Sequence, residues 1–228
     1  MRALSVIVPC LNEAEGIAAT LDALSPLRER GVELIVADGG SDDDTVALAG
    51  PRADLVVTAP RGRARQMNAG AAHARGEVLF FLHADTHPPR HADALILDGL
   101  AASGRDWGRF DVAIAGRNPL LRLVASLMNL RSRWTRVATG DQGVFVRRSL
   151  FDSVGGYRDI ALMEDVELSE RLRRRGAPLC IRQKMTTSGR RWEKHGILRT
   201  ALLMWRLRLA YRLGADPDKL ALRYASHK

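Results

Sequence analysis

The first half of the sequence alternates short aliphatic runs with stretches of helical character. Such βα units build a mostly parallel sheet with helices on its faces. The pattern predicts strands at residues 4–8, 33–37, 54–58 and 77–82. It predicts helices at residues 14–28 and 64–74, the first with Ile17, Leu21, Leu24 and Leu27 on one face. We therefore predict an α/β fold in which helices flank a mostly parallel central sheet.

The second half has a less regular pattern. A strand is predicted at residues 107–115, a helix at 120–131, a short segment at 143–147 and a turn at 155–157. Further helices are predicted at 163–175, where Gly176 and Pro178 supply a stop signal, and at 197–212. The last helix adds a helical C-terminal extension to the α/β fold.

Length and composition indicate one domain in a reducing compartment. The 228 residues are 46% apolar, which suits one core, and no run reaches the roughly 18–20 apolar residues of a membrane span. The apolar start is followed at once by Asn12 and Glu13, so it is predicted to be a buried strand and not a signal peptide. Cys10 and Cys180 are too sparse for a disulfide framework or a zinc site. We predict a single cytoplasmic domain.

Positive charge is concentrated in the C-terminal third. The formal net charge is +9, and residues 171–212 carry 13 basic side chains. This asymmetry indicates a phosphate-bearing partner: a diphosphate donor, an anionic lipid surface or a nucleic acid. The helix at 197–212 combines arginines with an apolar stripe and predicts peripheral contact with an anionic inner membrane. Packing against the core or in a homodimer is the alternative.

Polar residues follow every strand of the first half. In open α/β sheets, ligands bind beyond the carboxyl ends of the strands. The segments predicted to face one crevice are Asn12 with Glu13, residues 38–44, residues 61–65 and residues 83–85. Within them, Asp38 is suited to accept hydrogen bonds from a base or a ribose. The alternative is that residues 41 and 42 only cap the next helix.

A metal site is predicted around Asp85. This residue follows an apolar strand, which delivers its carboxylate to the sheet edge as a hard oxygen ligand for Mg²⁺ or Mn²⁺. His83 stands on the same side of an extended chain, as a second ligand or as a partner that orients Asp85. His195 is a further candidate ligand. An ordinary strand-end turn and a surface histidine are the alternatives.

Two acidic residues and two groups of arginines complete the set of candidates. Asp165 is a candidate general base for an acceptor hydroxyl, with Glu164 as its positioning neighbour; the alternative is that both only interact with the helix dipole. The candidates for binding phosphate or sugar are Arg61, Arg63 and Arg65 after the third strand, and Arg190, Arg191 and Trp192 further on. A solvated surface is the alternative for these residues.

Taken in order, four motifs resemble the inverting family 2 glycosyltransferases of the GT-A fold. They are residues 8–13 (VPCLNE), residues 38–45 (DGGSDDDT), residues 83–85 (HAD), and Glu164 with Asp165. The resemblance covers roughly residues 4–175. Residues 190–192 (RRW) and 211–214 (YRLG) look more narrowly similar to a small bacterial subgroup associated with radical-SAM or selenium-domain proteins and with arsenosugar biosynthesis.

The resemblance implies roles for several residues. The residues implied to line the nucleoside pocket are Pro9, Asn12, Glu13 and Asp38. Asp85 is implied to bind the metal under the diphosphate, and Asp165 to be the base. The family usually has an acid where this chain has His83, which leaves the identity of the metal, Mn²⁺ or Mg²⁺, open. The resemblance also implies a nucleotide-binding half (residues 1–115), an acceptor and catalytic half (116–190) and a basic amphipathic tail (191–228).

The implied activity is metal-dependent transfer of a sugar from a UDP- or GDP-sugar to an acceptor hydroxyl by direct displacement, with inversion. A sugar nucleotidyltransferase is the near alternative, but it needs a glycine-rich basic loop where this chain has residues 10–13 (CLNE). A basic nucleic-acid-binding module is the alternative from another class. It would leave the acidic motifs unexplained, so we expect no nucleic-acid partner.

Overall fold

Eight strands form one sheet within residues 3–225, the range that this computed structural model describes. Residues 1–2 and 226–228, the ends of the predicted domain and tail, lie outside the described residues. The strands are β1 (Leu4–Cys10), β2 (Glu33–Asp38), β3 (Leu55–Thr58), β4 (Val78–Phe81), β5 (Thr86–His87), β6 (Trp107–Ile114), β7 (Val144–Arg147) and β8 (Leu179–Thr187).

Ten α-helices of the same range connect the strands or follow the last of them. They are α1 (Ala14–Glu29), α2 (Thr45–Ala49), α3 (Arg63–His73), α4 (Ala92–Ser103), α5 (Leu120–Thr135), α6 (Arg148–Ser153), α7 (Glu164–Arg175), α8 (Arg190–His195), α9 (Ile197–Arg212) and α10 (Pro217–Ala225). The elements predicted in the first half are confirmed, with ends shifted by at most two residues.

The strand order β3-β2-β1-β4-β7-β6-β8-β5 makes the sheet parallel on one side and mixed on the other. β1, β2, β3 and β4 pair in parallel, as the regular βα pattern predicts. β7 then runs antiparallel to both β4 and β6, whereas β6 and β8 are parallel. The carboxyl ends of β1, β2 and β4 therefore lie at one edge of the sheet.

β1 lies inside the parallel part of the sheet and faces a core on both sides. Val6 and Val8 belong to one cluster of buried residues and Ile7 to another, because successive side chains of a strand point to opposite faces. Each of the three is at most 1% exposed. Burial of one such side chain contributes roughly 1.5–3 kcal/mol. The end of β1 is therefore a rigid base for the loop that follows it.

The long strand β8 is absent from the predicted elements. Its pairing with β6 shifts register between Phe110 and Asp111, so that Arg182 and Gln183 have no partner in the regular ladder. A bulge of this kind breaks the alternation of period two by which a strand is recognised in a sequence.

The C-terminal extension packs on α7 and leaves an apolar face exposed. Val166 of α7, Leu207 of α9 and Leu220 of α10 share one buried cluster. The outer side of α9 and the residue directly after it carry large apolar side chains that are 51–79% exposed: Leu198, Leu202, Trp205, Leu209 and Leu213. Within the described part of the chain, we find no helix with the length and apolar character needed to cross a membrane.

Candidate active site

A cleft of about 390 Å³ opens beyond the ends of β1 and β4, and its walls include residues of α7, α8, α9 and α10. It brings together ten predicted site residues: Pro9, Glu13, Arg63, His83, Asp85, Glu164, Asp165, Arg190, Arg191 and Trp192. The other predicted site residues are all described by the structure but do not line the cleft: Asn12, Asp38, Arg61, Arg65 and His195.

The loops after β1 and β2 hold each other in place. Asn12 adopts a positive φ of 53°, its Oδ1 accepts a hydrogen bond from the Asp42 amide, and its own amide donates to Ser41 Oγ, both at 2.9 Å. Asp38 is 2% exposed, and its Oδ2 accepts from the amides of Gly40 and Ser41. Asn12 and Asp38 thus shape the edge beside the cleft, and their contact with a nucleoside stays a prediction.

The chain turns directly after β4, so the predicted extended path from His83 to Asp85 is wrong. Pairing with β7 ends at Phe81, and the Thr86 amide donates to the His83 carbonyl oxygen at 3.1 Å across the turn. The two side chains find different partners. Asp85 Oδ1 accepts from Thr86 Oγ1 at 3.3 Å, whereas His83 Nδ1 lies 3.6 Å from Oδ1 of Asp141. Both side chains still line the cleft.

Asp141 is a cleft residue that the sequence patterns do not single out. It lies in a 3-10 turn, Gly140–Gln142, just before β7. Burial by itself would raise the pKa of its carboxyl, but the imidazole of His83 and the guanidinium of Arg63 outweigh burial and hold the pKa below its usual value. Asp141 is therefore negatively charged at neutral pH. The glycines at positions 140 and 143 are the signal that indicates a tight turn here.

Gly140 joins the turn after β4 to the start of α7. A Cβ atom at this position would lie 2.1 Å from two ring atoms of His83, so a side chain would displace the imidazole. The Gly140 amide donates to Asp165 Oδ2 at 2.7 Å. The absence of a side chain therefore allows the acidic start of α7 to approach the residues that follow β4.

The start of α7 fixes the orientation of the Asp165 carboxylate. Oδ1 accepts from the Val166 amide and Oδ2 from the Gly140 amide, each at 2.7 Å. Met163, directly before α7, adopts a left-handed φ of 71°. Such a conformation is unfavourable for a bulky residue and occurs preferentially at functional sites. The carboxylate is partly exposed and faces the cleft.

Arg63 is held at the cleft by Glu164. Glu164 is 2% exposed and accepts a hydrogen bond from Arg63 Nη1 at 3.1 Å. Burial would lower the pKa of Arg63, but the charges of Glu164, Asp165 and Asp141 reverse the direction and raise it. Glu164 therefore acts on the site through the guanidinium that it positions.

Three predicted residues lie away from the cleft. Arg65 donates from Nε to both carboxylate oxygens of Asp159, at 2.8 and 2.9 Å, in an exposed ion pair. Arg61 is exposed before α3. His195 ends α8 and lines a small neighbouring pocket with Arg199. Their predicted roles in ligand binding stay predictions.

α8 brings Arg190, Arg191 and Trp192 to the cleft. The Arg191 guanidinium lies 4.6 Å from the ring centroid of Tyr224. Burial, and then repulsion by Arg63, lower the pKa of Arg191, although an arginine remains charged at neutral pH. Two guanidiniums that repel each other across one space are suited to bind a group with several negative charges, such as a diphosphate.

The helical extension contributes cleft residues that no local motif marks. Arg208 of α9 and Tyr224 of α10 line the cleft, and burial lowers the pKa of Arg208 although Asp165 and Asp141 oppose this shift. Arg208 is one of many arginines in this part of the sequence. Its position emerges only when α9 folds back over α7.

The acids of the cleft fit a divalent cation that is shared with a ligand. In the described range, no three side chains of His, Cys, Asp or Glu lie close enough together to hold a metal ion by themselves. Asp85 and Asp141 do present carboxylates to the cleft. Mg²⁺ is usually bound through one or two carboxylates, substrate phosphates and water. These residues therefore fit a cation that bridges protein and diphosphate.

The fold defines the class of the protein. The chain superposes on S. aureus TarS in complex with UDP with a TM-score of 0.65 and 18% identity, over 82% of this chain and 60% of that chain. It superposes on the mannosyltransferase PcManGT from Pyrobaculum calidifontis, in complex with GDP-Man and Mn²⁺, with a TM-score of 0.66 and 20% identity, over 98% and 69%. At these identities the likeness concerns the fold, which is that of the GT-A glycosyltransferases.

The family follows from the sequence comparison. The model of glycosyl transferase family 2 matches residues 5–155, more than half of the chain. The chain therefore belongs to glycosyl transferase family 2. The "Probable glycosyltransferase YdaM" of Bacillus subtilis (strain 168) is 29% identical over 194 residues, which are 74% of this chain and 46% of YdaM. The chain thus spans about half the length of this relative.

Proposed function

We propose that the protein is a metal-dependent inverting glycosyltransferase that moves a sugar from a UDP- or GDP-sugar to an acceptor hydroxyl. One observation carries the proposal: Asp85 and Asp165, from distant parts of the sequence, line one cleft together with several guanidinium groups. The complexes of TarS with UDP and of PcManGT with GDP-Man and Mn²⁺ support the donor class and the cation, Mn²⁺ or Mg²⁺.

The donor diphosphate lies against the arginines of the cleft. Asp85, assisted by Asp141, would hold the divalent cation, which neutralises charge on the leaving diphosphate. Arg63 and Arg191 face the same space and stabilise the negative charge that develops as the bond to the sugar breaks. Arg190 and Trp192 extend this wall toward the sugar.

Asp165 is the proposed general base. The acceptor oxygen forms a bond to the anomeric carbon on the face opposite the diphosphate, the bond to the diphosphate oxygen breaks, and the hydroxyl proton passes to the Asp165 carboxylate. Hydrogen bonds from two backbone amides hold this carboxylate in place while leaving it partly exposed. Because one displacement occurs, the configuration at the anomeric carbon inverts.

The nucleoside is proposed to lie at the edge formed by the loops after β1 and β2. Pro9 and Glu13 line the cleft at that edge, and the bonds around Asn12 and Asp38 fix its shape. Arg65 would have to leave Asp159 to reach a phosphate, so we expect it to contribute least. This assignment agrees with the predicted nucleotide-binding half, residues 1–115.

The activity test is transfer measured with Asp165→Asn. We expect kcat to fall about 100- to 10,000-fold, since proton transfer to a positioned base contributes that much, while affinity for the donor is retained. Asp159→Asn removes an exposed acid outside the cleft and is the control. NMR of the product gives its anomeric configuration. Wild-type kcat in Asp165→Asn, or retention of configuration, would contradict the mechanism.

The two alternatives predicted from sequence have less support than transfer. Several arginines behind the nucleic-acid alternative, among them Arg190, Arg191 and Arg208, line the acidic cleft. A nucleotidyltransferase would release pyrophosphate from a nucleoside triphosphate and a sugar phosphate. Release of pyrophosphate by the wild-type protein, without transfer from nucleotide sugars, would favour that alternative.

We also propose the narrower subgroup and a cytoplasmic location. The subgroup proposal rests on the resemblance of residues 190–192, which reach the cleft, and of residues 211–214, at the end of α9, to the radical-SAM or selenium-domain-associated, arsenosugar-type subgroup. Both Cys10 and Cys180 are free thiols, which suits the cytoplasm. A mass-spectrometric screen with arsenic-containing hydroxyl acceptors tests the subgroup, and absence of transfer would contradict it. Cell fractionation tests the location, and a periplasmic protein would contradict it.

The exposed apolar faces of α5 and α9 are proposed to rest on an anionic membrane. α5 exposes Leu123, Leu127 and Trp134, by 55–80%, and α9 together with Leu213 exposes the five large residues named above. Neither helix contains an acid, and together they carry seven arginines, three on α5 and four on α9. An apolar face without carboxylates complements anionic lipid headgroups.

Vesicle co-sedimentation tests this surface. We expect binding to phosphatidylserine vesicles and little to phosphatidylcholine vesicles, and loss of binding in the double variant Leu127→Ser with Leu202→Ser. A double variant of acids outside the face, Asp22→Ser with Glu77→Ser, is the control. Light scattering tests the alternative of a homodimer. If the wild type is a dimer, and the leucine double variant is monomeric but still sediments with vesicles, the face is a homodimer interface and the membrane proposal fails.

A further inference from the structure

A second pocket lies behind the cleft, between α5, α7 and α9. Its volume is about 240 Å³, and it shares Arg208 and Val166 with the cleft. Arg131 of α5 and Arg212 of α9 also line it, against one acid, Glu170. The charged lining is therefore three guanidiniums to one carboxylate. None of the roles proposed above uses this pocket.

Two arginines of the pocket have buried nitrogen atoms without a partner. Among the described residues, Nε and Nη2 of Arg131 and Nε of Arg208 are buried and make no hydrogen bond. An unsatisfied buried donor costs about 1–3 kcal/mol, and more for a charged group. Native structures rarely contain several such donors in one place, and each one calls for an explanation. A bound anion would supply the missing acceptors.

The electrostatics of the pocket point the same way. Burial, and then the charge of Arg208, lower the pKa of Arg131 to about 9, so both guanidiniums stay charged at neutral pH and repel each other. Asp165 attracts both and partly offsets the shifts. The pocket lies beside the proposed base because Val166, the next residue along the chain, lines both the pocket and the cleft. An anion would remove the repulsion between the two guanidiniums.

The remaining wall of the pocket is apolar. Val137, Trp205 and Leu209 line it, and Trp205 is 73% exposed at its mouth. Trp205 and Leu209 also belong to the exposed stripe of α9. An apolar group bound beside the arginines can therefore continue from the pocket onto the outer surface.

We propose that this pocket is the acceptor subsite and binds the phosphate of an ester that also carries a free hydroxyl and an apolar chain. The phosphate lies against Arg131 and Arg208, the chain runs along Trp205, and the hydroxyl enters the cleft beside Asp165. Arg208 serves both spaces, so the phosphate and the reacting hydroxyl belong to one small headgroup. The assignment rests on the proposed function and names the class of its acceptor.

Calorimetric titration of the full chain with three probes tests the subsite. Short-chain phosphatidylglycerol carries a phosphate, free hydroxyls and acyl chains. Short-chain phosphatidylcholine carries the phosphate and the acyl chains, but a quaternary ammonium group replaces the headgroup with the hydroxyls. Glycerol phosphate carries the phosphate and hydroxyls but no acyl chains. We expect phosphatidylglycerol to bind at least about tenfold more tightly than either of the others. Arg131→Gln should weaken its binding about tenfold, the worth of one charge-assisted hydrogen bond. Arg90→Gln removes an exposed charge that lies outside both pockets and outside α5 and α9, and it should change the affinity less than about twofold.

Two further measurements separate binding from folding and from the donor site. Arg131→Met should keep or raise Tm, because it removes a buried charge that lacks a partner; a lower Tm would show that Arg131 is structural and would overturn the subsite. Binding of UDP or GDP with Mn²⁺ should be unchanged in Arg131→Gln.

Two results would overturn parts of the proposal. If the wild type and Arg131→Gln bind phosphatidylglycerol with equal affinity, the subsite is overturned. If the wild type binds glycerol phosphate as tightly as phosphatidylglycerol, the apolar chain is overturned and the ligand is a free phosphate ester. If no nucleotide binds, the proposed function fails independently of these results.

Discussion

The regions behind the two walls of the cleft, the sheet side and the helical side, differ in how completely their polar groups are paired. On the sheet side, Asn12 and Asp38 use their side chains to join neighbouring loops, and the strands behind them are fully buried. On the helical side, Arg131 and Arg208 have buried donors without partners, and Leu202 is 51% exposed.

This difference indicates what each wall requires from outside the chain. The side chains of the sheet side are paired within the chain, which suits the binding of a ligand at a preformed edge. Among the described residues of the helical side, guanidinium nitrogens of Arg131 and Arg208 have no partner and large apolar side chains are exposed. An external molecule with an anionic and an apolar group would complete both. We therefore expect substitutions on the sheet side to lower the stability of the fold, and substitutions on the helical side to weaken ligand binding.

The largest expected effect is on the stability of the sheet side. Phe80 is 0% exposed and its ring centroid lies 5.8 Å from that of Phe110. We expect Phe80→Ala to lower the free energy of unfolding by about 3–5 kcal/mol through the cavity that it leaves. Leu127→Ala, on the exposed face of α5, should change it by less than about 0.5 kcal/mol. Urea denaturation measures both; similar losses would remove the contrast between the walls.

The next effect concerns the junction of the two walls. Gly140→Ala places a Cβ atom against the His83 ring, so the turn after β4 and the start of α7 must move apart. We expect the rate of sugar transfer to fall about 100-fold, as for a displacement of catalytic groups by about 1 Å. Gly16→Ala in α1, where no atom lies within 4 Å of the new Cβ, is the control. An unchanged rate in Gly140→Ala would show that this contact does not position the site.

A smaller, pH-dependent effect is expected at Glu33, in the sheet. Although burial would raise its pKa, hydrogen bonds from Ser5 and Arg75 lower it below the ordinary 4.5. A lowered folded pKa contributes stability above the unfolded value, and this contribution is lost as the pH falls through the folded value. Glu33→Gln should therefore cost about 1–3 kcal/mol at pH 7 and progressively less below pH 4.5.

Thermal unfolding as a function of pH measures this difference. The exposed Glu77→Gln variant, directly before β4, is the control and should follow the wild type at every pH. A constant difference between Glu33→Gln and wild type from pH 7 to pH 3 would show that ionisation of Glu33 does not stabilise the sheet.

The smallest expected effect lies on the helical side. Tyr224→Leu removes the ring beneath Arg191 while keeping an apolar side chain. A partly exposed cation–π contact contributes about 0.5–1 kcal/mol, so kcat/KM for the donor should fall about two- to fivefold. Leu222→Ala, on the exposed side of the same helix, should leave kcat/KM as it is. An unchanged kcat/KM in Tyr224→Leu would show that the ring does not position Arg191 for the reaction.

The sequence predicts the sheet side well because its signals are local. Aliphatic runs mark β1 to β4, and the acids that follow these strands fall near one edge by the rules of parallel sheets. Family 2 membership and the GT-A fold, expected from four motifs, are confirmed. The helix at residues 197–212 is confirmed with the same bounds, because its apolar spacing is regular.

The helical side and the finer geometry depend on contacts between distant residues. Asp141 enters the cleft because a tight turn packs on His83, and Arg208 because α9 folds over α7. The strand β8 is hidden by its bulge, and α4 is also absent from the predicted elements. The predicted extended path through residues 83–85 is wrong because the ladder with β7 ends earlier.

Metal-dependent nucleotide binding tests the donor cleft most directly. UDP and GDP are titrated into the wild type, Asp85→Ala and Asp98→Ala, each with and without Mn²⁺; Asp98 is an exposed acid of α4 that does not line the cleft. We expect Mn²⁺ to strengthen binding of one nucleotide to the wild type and to Asp98→Ala. In the wild type, this gain in affinity should be about 100-fold if the cation contributes several kcal/mol. In Asp85→Ala the gain should disappear. Binding that is independent of Mn²⁺, or equal in wild type and Asp85→Ala, would contradict a metal-bridged donor at Asp85.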